Sequence, residues 1–251
     1  MRGSFPGVAI VALALAMLVP PLRASSATDH TLSHKRDERE WEELAEQFSK
    51  AYSQKRFDEA LRRAEDMLQL AKRAFGPDDP KVATALSNLA GASEALGDYS
   101  RIEPLLQQAL AIRVQALGAN HPDTAKALTN LGRFKHFHHQ YAEAESLYQR
   151  ALAIHEGIQD VDRNEFAVAN ALHDLAVLYR DQEQYAKAAQ CVKRELDIWQ
   201  AKFGPEHPLA LPIIDMYAEM SRRIGDSRKA ESLEAQADRI RAARGAAATK
   251  K

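Results

Sequence analysis

The chain has 251 residues, of which 34 are lysine or arginine and 35 are aspartate or glutamate, so its formal net charge is −1. Proteins that bind nucleic acids normally carry a surplus of basic residues, and this balance argues against that class. The single cysteine, Cys191, excludes an internal disulfide. Packing must therefore stabilise the fold.

The first 27 residues have the pattern of a signal peptide. Arg2 supplies a positive charge, an apolar run follows from Val8 to Val19, and small residues stand at 25–27. This run is too short to cross a membrane as a helix, which needs about 20 residues. We therefore expect cleavage near Thr28 and export to the periplasm or the medium, with no stable membrane span in the mature protein; the alternative is an uncleaved segment retained as an anchor.

Two segments have the composition of disordered chain. Residues 28–40 are polar and highly charged, and residues 245–251 form a small basic tail without an apolar face. The sequence between them, residues 41–244, is expected to form the folded domain.

The folded region contains an internal repeat with a period of about 42 residues. Three copies place an aromatic residue nineteen positions before a glycine and 23 before a proline: Phe57, Gly76 and Pro80; Tyr99, Gly118 and Pro122; Tyr185, Gly204 and Pro208. Positions 57, 99, 141, 185 and 227 are the equivalent positions of five units. Apolar residues lie thirteen positions before and after each of them, at Leu44 and Leu70, Leu86 and Ile112, Leu128 and Ile154, Leu172 and Ile198, and Ile214 and Ile240. Units that share such positions bury them by stacking into a solenoid.

Each unit carries two helical periods separated by a short turn, which predicts a helix hairpin. In the longer connection between units, glycine ends one helix and proline begins the next, behind Asp79, His121 or His207 as N-caps. The third unit has Asp160 and Asn164 in the glycine and proline places, and its loop is two residues longer. The sequence thus predicts an all-α solenoid of about five hairpins.

Segments such as ALTNLGRF and YAEAESLYQRALAIHE resemble tetratricopeptide repeats, and the period of 42 with LGANHPDTA and FGPEHPLAL is similar to the kinesin light chain type. The small residue of the family's first helix matches Ala90, Gly132, Ala176 and Ala218. The resemblance implies a right-handed superhelix. Its concave groove, lined by the first helix of each hairpin, would bind peptides or helical segments of partner proteins.

The resemblance also implies a row of peptide-binding side chains, because an asparagine two positions before that small residue commonly bonds the backbone of a bound peptide. This place and its neighbours one turn away hold Thr84, Asn88, Lys126, Asn130, Arg133, Asn170 and Asp174. The two cations among them favour an acidic partner or a free carboxylate group. The alternative is that these are ordinary solvated positions of amphipathic helices.

The histidines suggest one competing function. His136, His138 and His139 form a cluster in which the first and last are three residues apart on one helical face, a spacing that a metal could use. The dipole at a helix C-terminus explains basic residues there without a metal. His155 and His173 are interpreted as isolated polar positions.

Motifs for catalysis are not found: the sequence has no HExxH, GxSxG, glycine-rich phosphate loop or paired-cysteine motif. We therefore predict an exported protein-interaction module that needs no cofactor and catalyses no reaction. The alternatives are a metal-handling protein or enzyme that uses the histidine cluster, and a structural assembly subunit that uses its convex face.

Overall fold

The computed structural model describes residues 25–158 and 161–248, and in these ranges it contains ten α-helices and no strand. The helices are α1 (Ser25–Ser53), α2 (Phe57–Ala74), α3 (Pro80–Ala95), α4 (Ile102–Leu117), α5 (Pro122–Phe137), α6 (Tyr141–Glu156), α7 (Val161–Asp181), α8 (Tyr185–Phe203), α9 (Leu211–Arg223) and α10 (Ser227–Ala248). One-turn 3₁₀ helices, Tyr99–Arg101 and Pro208–Ala210, precede α4 and α9. Consecutive helices pair as five successive hairpins, the first of them through Ala51 of α1 and Ala60 of α2, which confirms the predicted all-α solenoid.

The chain divides into two compact units, residues 1–40 and 41–251. The first unit departs from expectation, because residues 28–40 are helical as part of α1 and not disordered. Residues 25–40 contain no glycine or proline, and pairs one turn apart, such as His34 and Glu38 at 3.5 Å, support a helix. The signal-peptide expectation falls mostly on residues 1–24, outside the described residues.

The C-terminal tail also differs from its predicted disorder. The helix α10 continues to Ala248 and so includes the first four residues of the expected tail, 245–248. Alanine is the strongest helix former, and the run Ala246–Ala248 extends a helix already anchored by buried Ile240.

Buried apolar side chains join each hairpin to the next. Of the ten apolar positions that mark the repeat, eight are buried, while Leu44 and Ile198 are partly buried. Leu131 of α5 packs in a cluster with Ala90 of α3 and Leu106 of α4, so it belongs to the contact between the second and third hairpins. Similar clusters of buried side chains join the other neighbouring hairpins, as stacking requires.

The five tight turns inside the hairpins use a left-handed residue at the same place. The φ angles are 59° at Lys55, 79° at Gly97, 58° at His139, 58° at Glu183 and 82° at Gly225. Glycine adopts this conformation freely, whereas other residues pay about 1–2 kcal/mol. Three of the five turns have a residue other than glycine at this place. The packing of the helices on either side therefore holds the turn in this conformation.

The longer connections follow the predicted pattern of caps. Asp79 accepts a hydrogen bond from the backbone N–H of Lys81 at 2.7 Å, and the Nδ1 atoms of His121 and His207 accept equivalent bonds at 3.1 and 3.3 Å. In the third unit, α7 begins three residues before Asn164, so the additional residues lengthen the helix. Asn164 is buried, and its side-chain amide donates to the carbonyl oxygen of His155.

Candidate interaction groove

Two cavities that share Asn130 lie between the first helices of neighbouring hairpins. The α3–α5 cavity has a volume of about 100 Å³ and is lined by Ser87, Ala90, Gly91, Glu94, Ile102, Leu106, Asn130, Arg133 and Phe134. The α5–α7 cavity has a volume of about 220 Å³ and is lined by Lys126, Thr129, Asn130, His155, Ala167, Asn170, Ala171 and Asp174. Asn130 contributes to both, so it is the side chain that links the two cavities along α5.

Five of the seven residues predicted for the groove line these cavities, and four of them, Lys126, Asn130, Asn170 and Asp174, share the α5–α7 cavity. Thr84 and Asn88 line neither. The Thr84 hydroxyl donates to the carbonyl of Pro80 at 3.1 Å, and the Asn88 amide lies 3.8 Å from the sulfur of Met67. The structure therefore concentrates the candidate site on α5 and α7.

The two predicted cations are each placed beside a carboxylate. Lys126 Nζ lies 2.8 Å from Oδ1 of Asp123, one turn earlier on the same helix, and Arg133 lies 4.0 Å from Glu94 of α3. Both cations are largely exposed. Their local charge is offset, so the cationic strip that favoured an acidic ligand has less support than the sequence alone suggested.

Asp174 is a partly buried carboxylate on the wall of the α5–α7 cavity. Burial raises its pKa from 3.8 to about 6, and the nearby basic groups His173, Arg133 and His136 offset only part of that effect. Across the described chain, its carboxylate has no hydrogen bond and no ion pair within 4.0 Å. A carboxylate that is partly desolvated without a partner lowers the stability of the fold whenever it is ionised.

Replacing Asp174 by asparagine should therefore stabilise the protein by about 1–3 kcal/mol at pH 7.5. The folded state binds the Asp174 proton more tightly than the unfolded chain does, so the penalty appears as pH rises from about 4 to about 6 and is complete above that. Chemical denaturation of both proteins at pH 4 and pH 7.5 measures it. A variant less stable than wild type at pH 7.5 would show that Asp174 makes a stabilising contact.

The charged and titratable groups close enough to Asp174 to influence its titration come from four helices. They are His173 on α7, Arg133 and His136 on α5, Glu195 on α8 and the Tyr148 hydroxyl on α6. His173 is bonded to Glu195 at 3.1 Å, and this bond raises the pKa of His173. Because Glu195 is itself buried, His173 is a paired group and not the isolated polar position that the sequence suggested.

His155 is the cavity residue that sequence reasoning missed. It lies on α6, is only 7% exposed and lines the α5–α7 cavity. Its Nδ1 atom is buried and has no hydrogen-bond partner among the described residues. Burial lowers the pKa of His155, so the ring is neutral and can offer a lone pair. The same repeat position is also buried in the first two units, where it holds Ala71 and Arg113.

The histidine cluster on which the metal hypothesis rests is divided among separate partners. His136 bonds Asp181 at 2.9 Å, His139 Nδ1 lies 2.8 Å from the Tyr141 hydroxyl, and the His138 ring packs 4.3 Å from that of Phe134. Over residues 25–158 and 161–248, no group of three His, Cys, Asp or Glu side chains is arranged to hold a metal ion. Nor is any helix in those ranges both long and apolar enough to cross a membrane.

Similar solved structures share this fold at low sequence identity. A kinesin light chain-type protein from Podosopora anserina, with nearly identical TPR-like repeats, is 24% identical, with 80% of this chain and 95% of that chain covered and a TM-score of 0.67. BtubC (BKLC) from P. vanneervenii is 20% identical over 87% and 90% of the two chains, with a TM-score of 0.72. MamA from Desulfovibrio magneticus RS-1 is 19% identical over 81% and 96%, with a TM-score of 0.56.

At these identities the likeness shows the fold alone, and no match is found among curated proteins. The family model for the tetratricopeptide repeat matches residues 51–113, 82–157 and 167–243, which together span most of the chain. Its matches include every residue that lines the two cavities. The five stacked hairpins and these matches agree, and the chain belongs to the tetratricopeptide repeat family.

Proposed function

We propose that this protein is an interaction module that binds a segment of a partner protein in the groove formed by α5 and α7, without catalysing a reaction. The observation that carries the proposal is the α5–α7 cavity, where Asn130, Asn170 and Asp174 converge on a space of about 220 Å³. None of these three side chains makes a hydrogen bond to another described residue. Polar groups held without partners on a concave surface are suited to a ligand.

The amide of Asn130 is the central contact in this proposal. An asparagine side chain offers one acceptor and two donor hydrogens, which match the C=O and N–H groups of a peptide backbone. Asn130 lines both cavities, so a segment lying along the groove would pass it. The expected preference for an acidic or carboxylate-bearing partner rests on Lys126 and Arg133, and the carboxylates beside them weaken its support.

Export belongs to the same proposal. The apolar run from Val8 to Val19 and the small residues that follow it support a signal peptide, so the partner would be encountered in the periplasm or outside the cell.

Replacing Asn130 by alanine should weaken binding of the partner by about 1–3 kcal/mol, because a ligand group that Asn130 satisfies would be buried without a partner. The stability of the free protein should change little, since Asn130 bonds no other described side chain. The measurement is the affinity of a partner first isolated with the full chain and then purified, titrated against wild type and variant by calorimetry.

Asn88 supplies the matched control for this experiment. It holds the same repeat position as Asn130, one unit earlier, but lies against Met67 and lines neither cavity. Asn88→Ala should leave the affinity unchanged. Equal losses for both variants, or no loss for Asn130→Ala, would move the binding surface away from α5 and α7.

A further inference from the structure

We infer that the α5–α7 cavity receives a lysine or arginine side chain of the bound segment. This inference rests on the proposed groove and adds the chemistry of its ligand. The cavity's strongest acceptor without a donor among the described residues is the carboxylate of Asp174, and His155 lines the same space with a buried Nδ1 that also has no partner. The amide oxygens of Asn130 and Asn170 stand on the same walls and are also without a described donor.

His155 is the observation that separates this cavity from an ordinary polar surface. More than nine tenths of the residue is buried, yet its Nδ1 has no partner. Buried ring nitrogens are nearly always hydrogen-bonded, because an unpaired one loses its contact with water and gains nothing in return. This unpaired polar atom in the cavity wall, together with the unpaired Asp174 carboxylate, indicates that the fold alone does not satisfy the polar groups of the site.

A basic side chain fits this set of acceptors better than other groups. An ammonium group has three donor hydrogens and a guanidinium has five, and either would pair with the Asp174 carboxylate. An acidic side chain would face Asp174 with the same charge. An apolar side chain would leave the Asp174 carboxylate unpaired. The volume of about 220 Å³ far exceeds the 10–15 Å³ that one water needs, so the end of a side chain can enter.

The one lysine on the cavity wall does not pair with the Asp174 carboxylate. Lys126 is largely exposed, and its Nζ lies 2.8 Å from Asp123, which precedes it by one turn on α5. The chain therefore supplies no described basic group that neutralises Asp174 by direct contact, and the charge of the cavity is complementary to a basic ligand.

The test uses the full chain and five pools of nine-residue peptides in which the central residue is fixed as Lys, Arg, Gln, Glu or Leu and the others are varied. Fluorescence anisotropy gives the affinity of each pool. The Lys and Arg pools should bind about tenfold or more tightly than the Glu and Leu pools, the range expected for a hydrogen bond between charged groups. Asp174→Asn should remove that preference.

Two further variants sharpen the result. Asp197→Asn is the matched control, because Asp197 is an exposed aspartate on α8 that pairs with Lys193 at 2.6 Å, and it should keep the preference. Asn170→Asp adds a second carboxylate at an exposed position on the cavity wall. It should strengthen binding of the Lys pool several-fold. Because Asn170 is exposed, this test does not require a substitution in the core of the protein.

The outcomes separate this inference from the proposed function. If the Glu pool binds best, or if Asp174→Asn keeps the preference for basic residues, the inference is overturned. The proposed function still holds in that case if the affinity of the partner depends on Asn130. If Asn130→Ala leaves the affinity of the partner unchanged and no peptide pool binds, both the inference and the proposed function are wrong. Self-association of the chain that Asp174→Asn abolishes would assign the cavity to a second copy and overturn the partner assignment.

Discussion

Replacing Leu131 or Leu175 by alanine should lower the free energy of unfolding by about 2–5 kcal/mol, the usual range for truncation of a buried leucine. Leu131 is 6% exposed and packs between the second and third hairpins, and Leu175 is 3% exposed in a cluster that also holds Tyr148 and Met220. Each truncation removes methyl groups from a contact that neighbouring hairpins share. The loss should therefore appear in one cooperative transition for the whole stack.

Leu209 provides the matched control, since 58% of it is exposed. Leu209→Ala should change the free energy of unfolding by no more than about 0.5 kcal/mol. Chemical denaturation followed by circular dichroism measures all three variants. A loss below about 0.5 kcal/mol for Leu131→Ala and Leu175→Ala, or a transition that splits into two steps, would contradict the coupled stack.

Replacing Gly132 by alanine should destabilise the protein by about 1–3 kcal/mol, even though alanine favours a helix by about 1 kcal/mol over glycine. A Cβ at Gly132 would lie 2.7 Å from Cε1 and 2.8 Å from Cδ1 of Tyr148. Tyr148 is 1% exposed, so its ring has no free space into which to move. The clash should outweigh the gain in helix propensity.

Two comparisons isolate the clash. Gly91, in α3, has no atom within 4 Å of the place where a Cβ would stand, so Gly91→Ala should be stabilising by about 0.5–1 kcal/mol. In the second hairpin, Ala90 holds the place of Gly132 and Leu106 that of Tyr148, within one cluster. Adding Tyr148→Leu to Gly132→Ala should therefore recover part of the loss. No recovery in this double-mutant cycle would place the cost of Gly132→Ala elsewhere.

The features of the fold that sequence could predict are those set by local patterns. The aromatic, glycine and proline spacings placed the five hairpins, and Asp79 and His121 cap their helices as expected. Composition was a weaker guide at the ends, because charged residues without glycine or proline can continue a helix. That is why α1 covers residues 28–40.

The sequence could predict only those site residues that occupy equivalent positions in the repeat. Asn130, Asn170 and Asp174 were found because the repeat places them on corresponding faces of α5 and α7. The charge of the groove was not, since the partner of Arg133 comes from another hairpin, at Glu94. His155 lies on a second helix, α6, and reaches the cavity through packing that no spacing within the first helices reveals.

The α5–α7 cavity is proposed to bind a partner segment through groups that the fold leaves unpaired, Asp174 among them. The measurement that tests this proposal most directly compares wild type with Asp174→Asn at pH 7.5, using one preparation of each for chemical denaturation and for titration with the Lys pool. The predicted result is a stability higher by about 1–3 kcal/mol together with an affinity lower by about tenfold or more. An affinity that stays the same or rises when Asp174 is replaced would contradict a direct contact between Asp174 and the bound segment, whatever happens to stability.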